Sequence, residues 1–317
     1  MEIRQVKYEE LDDLFEEQNK AFNFNKGDEF VDILPKIYYK DNPNMVHFAA
    51  FDNGKIVSSI GLYRTDFMGE DIKLKAACVG AVSTLDEYRK LGLMSHIMNE
   101  LLDFAKKDGY DFLYLGGDRI RYNHFGFENA VQILDVVMSK KVKNKYDLRG
   151  IEIKPLNEDD EENIKKCFDI YNKSTYRVER TLENFYKTLK SWKYSPYLTY
   201  KNDELIGYFC FLNNEIGEIK FVDDKYLYDV IASIYYLTDN FKIHLPMSYY
   251  DRMIDMAHYV NTIDYTMIKI LNLKNVCKYL KVDKEIKEEN ELKLVRDLFG
   301  FRSSPCKAGI SRPYPSQ

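Results

Sequence analysis

The hydrophobic pattern changes period several times along the first half of the chain. Ile3 to Val6 reads as a strand, and an acidic amphipathic helix is expected from about Glu9 to Phe22. Two apolar runs follow, Met45 to Phe51 and Lys55 to Tyr63, separated by Asp52-Asn53-Gly54. That separation predicts a hairpin, because Asn and Gly accept the positive φ angles of a tight turn. Leu74 to Thr84, rich in small and β-branched residues, reads as a further strand. The period then becomes helical: Leu93, Ile97, Leu101 and Ala105 recur on one face, flanked by Met94, Met98, Leu102 and Phe104. Lys106-Lys107-Asp108-Gly109 ends this helix with cations and a glycine, as the helix dipole and a C-terminal cap favour. Phe112 to Leu115 is a short buried strand, and strand, helix and strand at this spacing predict a parallel pair with a crossover helix.

The second half echoes the first. Ile151-Glu152-Ile153-Lys154 matches the opening Met1-Glu2-Ile3-Arg4, and each leads into an acidic helix. A hairpin recurs at Tyr197 to Phe211 around Lys201-Asn202-Asp203-Glu204. An internal duplication is the economical reading. The second copy is degenerate, since its later helix opens with Asp223-Asp224-Lys225-Tyr226 and has neither glycine nor arginine there. The expected organisation is therefore residues 1–148, residues 149–275, and a short C-terminal extension over 276–317. That extension holds a helix from Glu291 to Leu298 and then a Ser/Pro/Gly-rich tail. The fold class is α/β (α+β): two tandem mixed sheets flanked by helices.

A length of 317 residues agrees with about two domains. The five cysteines are scattered and contain no Cys-x-x-Cys pair, which argues against a disulfide framework and a zinc site. No two of the five histidines share metal-ligand spacing, so no metal is expected. The net charge of −5 disfavours nucleic acid as a partner. No apolar run approaches the roughly 20 residues that span a bilayer, and no signal peptide is recognisable, so the expectation is a cytoplasmic protein without a membrane partner.

The candidate chemistry lies after the strand that ends at Thr84. A short basic loop with Arg89 and Lys90 leads to Gly92, where the helix starts. A helix N-terminus offers unpaired N–H groups and partial positive charge, which suit a pyrophosphate, and glycine lets a phosphate approach the backbone. Asp86 and Glu87 oppose this and must point elsewhere. Taken alone, the glycine could equally mark a tight turn. A second cluster follows the next strand: Leu115-Gly116-Gly117-Asp118, then Arg121-Tyr122 and Phe125-Gly126-Phe127.

Together, Arg89-x-x-Gly92 and Tyr122-x-x-x-Gly126-Phe127 resemble the GNAT superfamily of N-acetyltransferases. Met94 stands where the common motif has a second small residue, and this is similar to the enhanced-intracellular-survival branch, which pairs an acetyltransferase domain with a degenerate copy. The resemblance implies acetyl-CoA as co-substrate and direct attack by an amine of a small molecule, peptide or lysine. It implies that Val82, Ser83 and Thr84 pair their backbone with the pantetheine arm, with the Val82 N–H holding the oxyanion. Arg89, Lys90, Leu91, Gly92, Leu93, Met94 and Ser95 would surround the pyrophosphate, with Gly117 and Asp118 beside the cofactor where the parallel strands part. Tyr122 would protonate the departing thiolate as general acid.

In that branch the C-terminal carboxylate of a sterol-carrier-like third domain reaches the active site. Residues 276–317 are too few for such a domain, so Gln317 is not assigned as base and the base stays open. The resemblance also admits a homo-oligomer. The competing reading is a non-catalytic CoA-binding or protein-interaction module on the same scaffold, with Tyr122 only packing its ring.

Overall fold

The computed structural model describes residues 1–282 and 291–299. Within them the chain divides into two compact units. The first contains Met1–Val131 and the described residues from Tyr265 onward, and the second contains Gln132–Asp264.

In chain order the first stretch gives strand β1 (Glu2–Gln5), helix α1 (Leu11–Ala21), and strands β2 (Met45–Asp52), β3 (Lys55–Arg64) and β4 (Ala76–Thr84). Helix α2 (Leu93–Lys107), strand β5 (Phe112–Leu115), the short helix α3 (Arg119–Tyr122) and strand β6 (Glu128–Met138) follow. The order then recurs with β7 (Ile151–Pro155), α4 (Glu161–Asn172), an added helix α5 (Leu182–Lys190), β8 (Ser195–Lys201), β9 (Glu204–Leu212) and β10 (Glu215–Phe221). It continues through α6 (Leu227–Ile234), β11 (Phe241–Pro246) and β12 (Tyr259–Ile270), and ends with helices α7 (Leu273–Tyr279) and α8 (Glu291–Phe299). The expected helix at Glu291 to Leu298 is therefore present, while the tail after it lies outside the described residues.

The sheet of the first unit runs β1-β2-β3-β4-β5-β12, and only β4 and β5 are parallel neighbours. The second runs β6-β11-β10-β9-β8-β7, and only β10 and β11 are parallel. Each unit thus takes its last strand from the other half of the sequence. Met267–Ile270 of β12 completes the first unit against β5, and Ile133–Met138 of β6 completes the second against β11.

Local chemistry accounts for the pieces. Asp52 pairs with Lys55, and the turn between them puts Asn53 at φ 49° and Gly54 at φ 81°, the two positive angles that a two-residue hairpin turn needs. Successive residues of β2 point to opposite faces. Phe48 and Ala50 join the core under α2, whereas Ala49 and Phe51 join the one under α1 with Leu11 and Leu14. The two helices therefore cover opposite faces of the first sheet. The expected apolar stripe of α2 is buried at Leu93, Ile97, Leu101 and Ala105, with Met98 and Leu102 beside it.

The second unit buries an ion pair. The Arg180 and Glu218 side chains are each 7% exposed and are joined by hydrogen bonds of 3.0 and 2.6 Å. Tyr208 Oη donates to Glu218 at 2.6 Å, and the guanidinium lies 4.0 Å from the Tyr171 ring centroid. Burial alone would raise the Glu218 carboxyl, but the charge and hydrogen bonds of Arg180 outweigh it and hold it below the usual range. With a folded value below the unfolded one, the carboxylate stabilises the fold at neutral pH, and this contribution is lost as pH falls through the depressed value. Arg180→Leu leaves the carboxylate buried without its cation and is expected to cost about 3–5 kcal/mol, seen as a lower urea midpoint. Replacing Glu218 by Leu as well should recover most of that loss. A single variant as stable as the parent would show the pair to be energetically idle.

Candidate active site

The site is built where two parallel strands part. β4 and β5 pair only over Ala76–Cys78 and Phe112–Tyr114, yet β4 continues to Thr84 along β3. Beyond Gly80 the register against β3 shifts, and Ala81 takes φ 46°, a left-handed angle unusual for a residue with a Cβ. This is a β-bulge, which bends its strand and re-aims the residues after it. Val82 follows at once, half-buried against the core of α2.

The loop after β4 is exposed from Asp86 to Gly92 except for half-buried Tyr88, whose hydroxyl donates to Asp52 at 3.0 Å. Lys90 and Gly92 both have positive φ, 68° and 73°, so the chain turns sharply into α2. No neighbouring protein atom selects glycine at 92, since an added Cβ would meet only His96 at ordinary contact distance, 3.7 Å. The backbone angle does. Leu93 is buried and anchors the first turn, and Met94 and Ser95 are half-buried beside it. Ser95 N donates to Gly92 O at 3.1 Å, while helix geometry leaves the N–H groups of Leu93 and Met94 without an intrahelical acceptor. His96 Nδ1 lies 3.0 Å from Gly92 O and braces the turn. Leu91 and Lys90 are exposed on the loop.

Two placements modify the expected cation cluster. Arg89 is paired with Asp86 at 2.8 Å, both exposed. Asp86 therefore lies with the arginine rather than away from it. An exposed pair of this kind is weak and gives way to a stronger anion. Asp118 is the N-cap of α3, accepting from Ile120 N at 2.9 Å. Its carboxylate is thereby committed to the fold.

Tyr122, at the end of α3, is buried and shares the α2 core with Val82, Leu93 and Met94. Gly117, at φ 141°, backs its ring, and a Cβ there would stand 3.0 Å from Tyr122 Cε2. Burial raises the Tyr122 phenol above the ordinary tyrosine value, against the opposing charge and hydrogen bond of Arg121. The group stays protonated through neutral pH and can donate. The structure thus gathers Val82, Leu93, Met94 and Tyr122, sets Gly117 against Tyr122, and leaves Arg89, Lys90 and Leu91 on the surface.

Sequence reasoning missed two supports. Glu128, at the start of β6, is 1% exposed and accepts two hydrogen bonds from Arg119, which bolts α3 and so Tyr122 to the sheet. The second is a polar layer between α1 and β4. Glu17 and Gln18 fall on the stripe marked by Leu11 and Leu14 and are buried there, and Ser83 and Ser59 meet them from the sheet. The signal was available: two polar residues on an otherwise apolar helix face. Among the described residues no group of three His, Cys, Asp or Glu is arranged to hold a metal.

Residues 2–130 match a family model described as an acetyltransferase (GNAT) domain. No curated protein matches the chain. Among solved structures, a protein from Enterococcus faecalis described as a probable N-acyltransferase superposes with a TM-score of 0.71 at 19% identity, covering 88% of this chain and 74% of that one. A GCN5-related N-acetyltransferase from Kribbella flavida gives 0.65 at 12% identity, with 88% and 73% covered. Eis1 from Mycobacterium abscessus gives 0.63 at 14%, with 88% and 76% covered. Identities this low establish a shared fold. By sequence over residues 2–130 and by fold over most of its length, the chain is similar to the GNAT acetyltransferases.

Proposed function

We propose that the protein is an acetyl-CoA-dependent N-acetyltransferase whose chemistry resides in the first unit. The observation that carries this reading is the parting of β4 and β5 after Cys78 and Tyr114, with Val82, the first turn of α2 and Tyr122 in one cluster beyond it. The free N–H groups and positive end of α2 suit a pyrophosphate, supported by Lys90 and by Arg89 once released from Asp86. The strand residues Val82, Ser83 and Thr84 offer backbone pairing to an extended pantetheine arm, with the Val82 N–H as donor to the thioester oxyanion. A neutral amine attacks the carbonyl carbon. The tetrahedral adduct then collapses, the C–S bond breaks, and the thiolate takes a proton from Tyr122. The proton still carried by the new amide nitrogen restores the phenol.

We assign residues 1–148 and 149–275 to two copies of one ancestral sequence, since strand and helix order recur between them. The second copy is unsuited to a phosphate. Asp223, Asp224 and Asp229 stand at the opening of α6, and Asp223 itself accepts from Lys225 N at 2.9 Å. Carboxylates at that helix end repel the anion that glycine and cations would admit. The acceptor is an amine. The likeness to Eis1 supports a branch relationship by fold alone.

Calorimetric titration with acetyl-CoA tests the reading, with micromolar affinity expected (about −8 kcal/mol). No binding would replace it by the interaction module. Tyr122→Phe should lower turnover by roughly 10²-fold or more, with acetyl-CoA affinity nearly unchanged. An unchanged rate would remove the phenol from the mechanism. Gly117→Ala combines a strained angle with contact on the Tyr122 ring and should destabilise the fold by about 1–3 kcal/mol, read from thermal unfolding. An unaltered midpoint would mean that Gly117 does not set the ring.

A further inference from the structure

Glu17 is a carboxylate in an unfavourable place. It lies on the sheet-facing side of α1 at 3% exposure, and no cation is paired with it among the described residues. One oxygen, Oε2, accepts from Ser83 Oγ at 2.8 Å and from Ser59 Oγ at 3.0 Å, while Oε1 is buried with no hydrogen-bond partner. The two serine hydroxyls are themselves 2.8 Å apart, and Gln18 Nε2 donates to Ser59 Oγ at 3.2 Å. Beside them Ser58 Oγ donates to the Ser83 carbonyl at 2.7 Å and lies 2.7 Å from Thr84 Oγ1. Burial raises the Glu17 carboxyl despite the two hydroxyls, so the protein holds this group against its own solvation preference. An apolar side chain of that size would pack there at less cost in free energy. A buried polar group kept under such conditions often fixes a register that apolar contacts leave free.

The register in question lies on the page. Ser59 faces Ser83 and Ser58 faces Thr84 across β3 and β4, and the next pair, Gly61 with Gly80, is offset by the bulge at Ala81. The four hydroxyls bracket the two rungs immediately beyond the bulge, and Val82 lies between the bulge and these rungs. A bulge can migrate along a strand at little cost when nothing pins the residues after it. Ser83 is pinned from below by a helix.

We propose that Glu17 is a positioning residue for acetyl transfer: by holding the hydroxyls of Ser59 and Ser83 together it locks the bulge of β4 in place and so fixes the direction of the Val82 backbone. The catalytic part of this statement rests on the acetyltransferase reading. The locking of the strand does not. One carboxylate oxygen receives both hydroxyls, so an amide of the same shape keeps part of the lock and an apolar residue keeps none.

The test uses the full chain and two variants, Glu17→Gln and Glu17→Leu. Hydrogen exchange by mass spectrometry on peptides spanning residues 79–85 reads the strand without any ligand, and calorimetry with acetyl-CoA reads the site. Glu17→Leu is expected to speed exchange past the bulge about tenfold and to weaken acetyl-CoA binding about tenfold, while the global unfolding midpoint stays level or rises. Glu17→Gln should recover a large part of both local effects. If Glu17→Leu does not fold, Glu17→Gln alone carries the exchange measurement, with an intermediate increase expected. Unchanged exchange in the folded variants would overturn the proposal, whatever happens to binding. Faster exchange in Glu17→Leu, with a parent protein that binds no acetyl-CoA, would overturn the catalytic meaning and the acetyltransferase reading together, leaving only the lock. A lower global midpoint in proportion to the local change would reduce Glu17 to an ordinary stabilising residue.

Discussion

Everything proposed for the first unit depends on how briefly β4 and β5 are paired. Parallel strands closed by a crossover helix ordinarily zip along their length, since each unpaired rung leaves backbone groups in need of partners. Here the zipper stops after Cys78 and Tyr114, although β4 runs on to Thr84. The bulge at Ala81 bends β4 away, and the glycines at 116 and 117 lead β5 into the short helix that carries Tyr122. The resulting opening has extended backbone on one strand and a buried phenol after the other. The first turn of α2 stands at the exit of β4. Were the pairing to run four residue pairs further, the backbone of Val82 would be spent on the partner strand.

The two faces of this sheet are held by different physics. Under α2 the contacts are apolar and dense, with Ile97, Met98 and Leu101 fully buried. Under α1 the apolar contacts of Leu11 and Leu14 give way to hydroxyls and a carboxylate, and further along to a chain of buried rings. In that chain Tyr38 Oη lies 2.5 Å from Tyr63 Oη, which lies 3.0 Å from His47 Nε2. Burial lowers His47 to about 3, so the imidazole is neutral and acts as a hydrogen-bond partner only. Apolar packing tolerates small slips, whereas hydrogen bonds at these distances do not. The polar face therefore sets the strand positions more strictly than the apolar face does.

What the sequence disclosed follows the range of each interaction. The turn at Asn53-Gly54 and the stripe of α2 are local, so residues a few positions apart carry the whole signal, and both are present as read. The glycine at 92 is legible as a helix start, whereas the left-handed angle it takes there is set by the turn and not by its neighbours in sequence. The use of Asp118 as a helix cap is not legible in the sequence because it depends on the direction of α3. The position of Glu17 on the apolar stripe of α1 is legible, but its partners are not, because the serines come from β3 and β4. The strand exchange was hidden for the same reason in larger form, since Met267 pairs with Leu115 across nearly half the sequence.

That exchange has a consequence for the order of events as the chain emerges from a ribosome. Domains usually condense one after another, each completed before the next is made. The first unit here cannot follow that schedule. The outer edge of β5 waits for Met267–Ile270, so the whole of the second unit must be synthesised while that edge stands bare. The pairing is strongly non-local, and contacts of that kind form slowly. During the interval β5, with its apolar Phe-Leu-Tyr-Leu run, is open to any strand that passes. The nascent protein is thus exposed to misassembly at the strand beside its own proposed active site, and its first unit matures only after the second has been made.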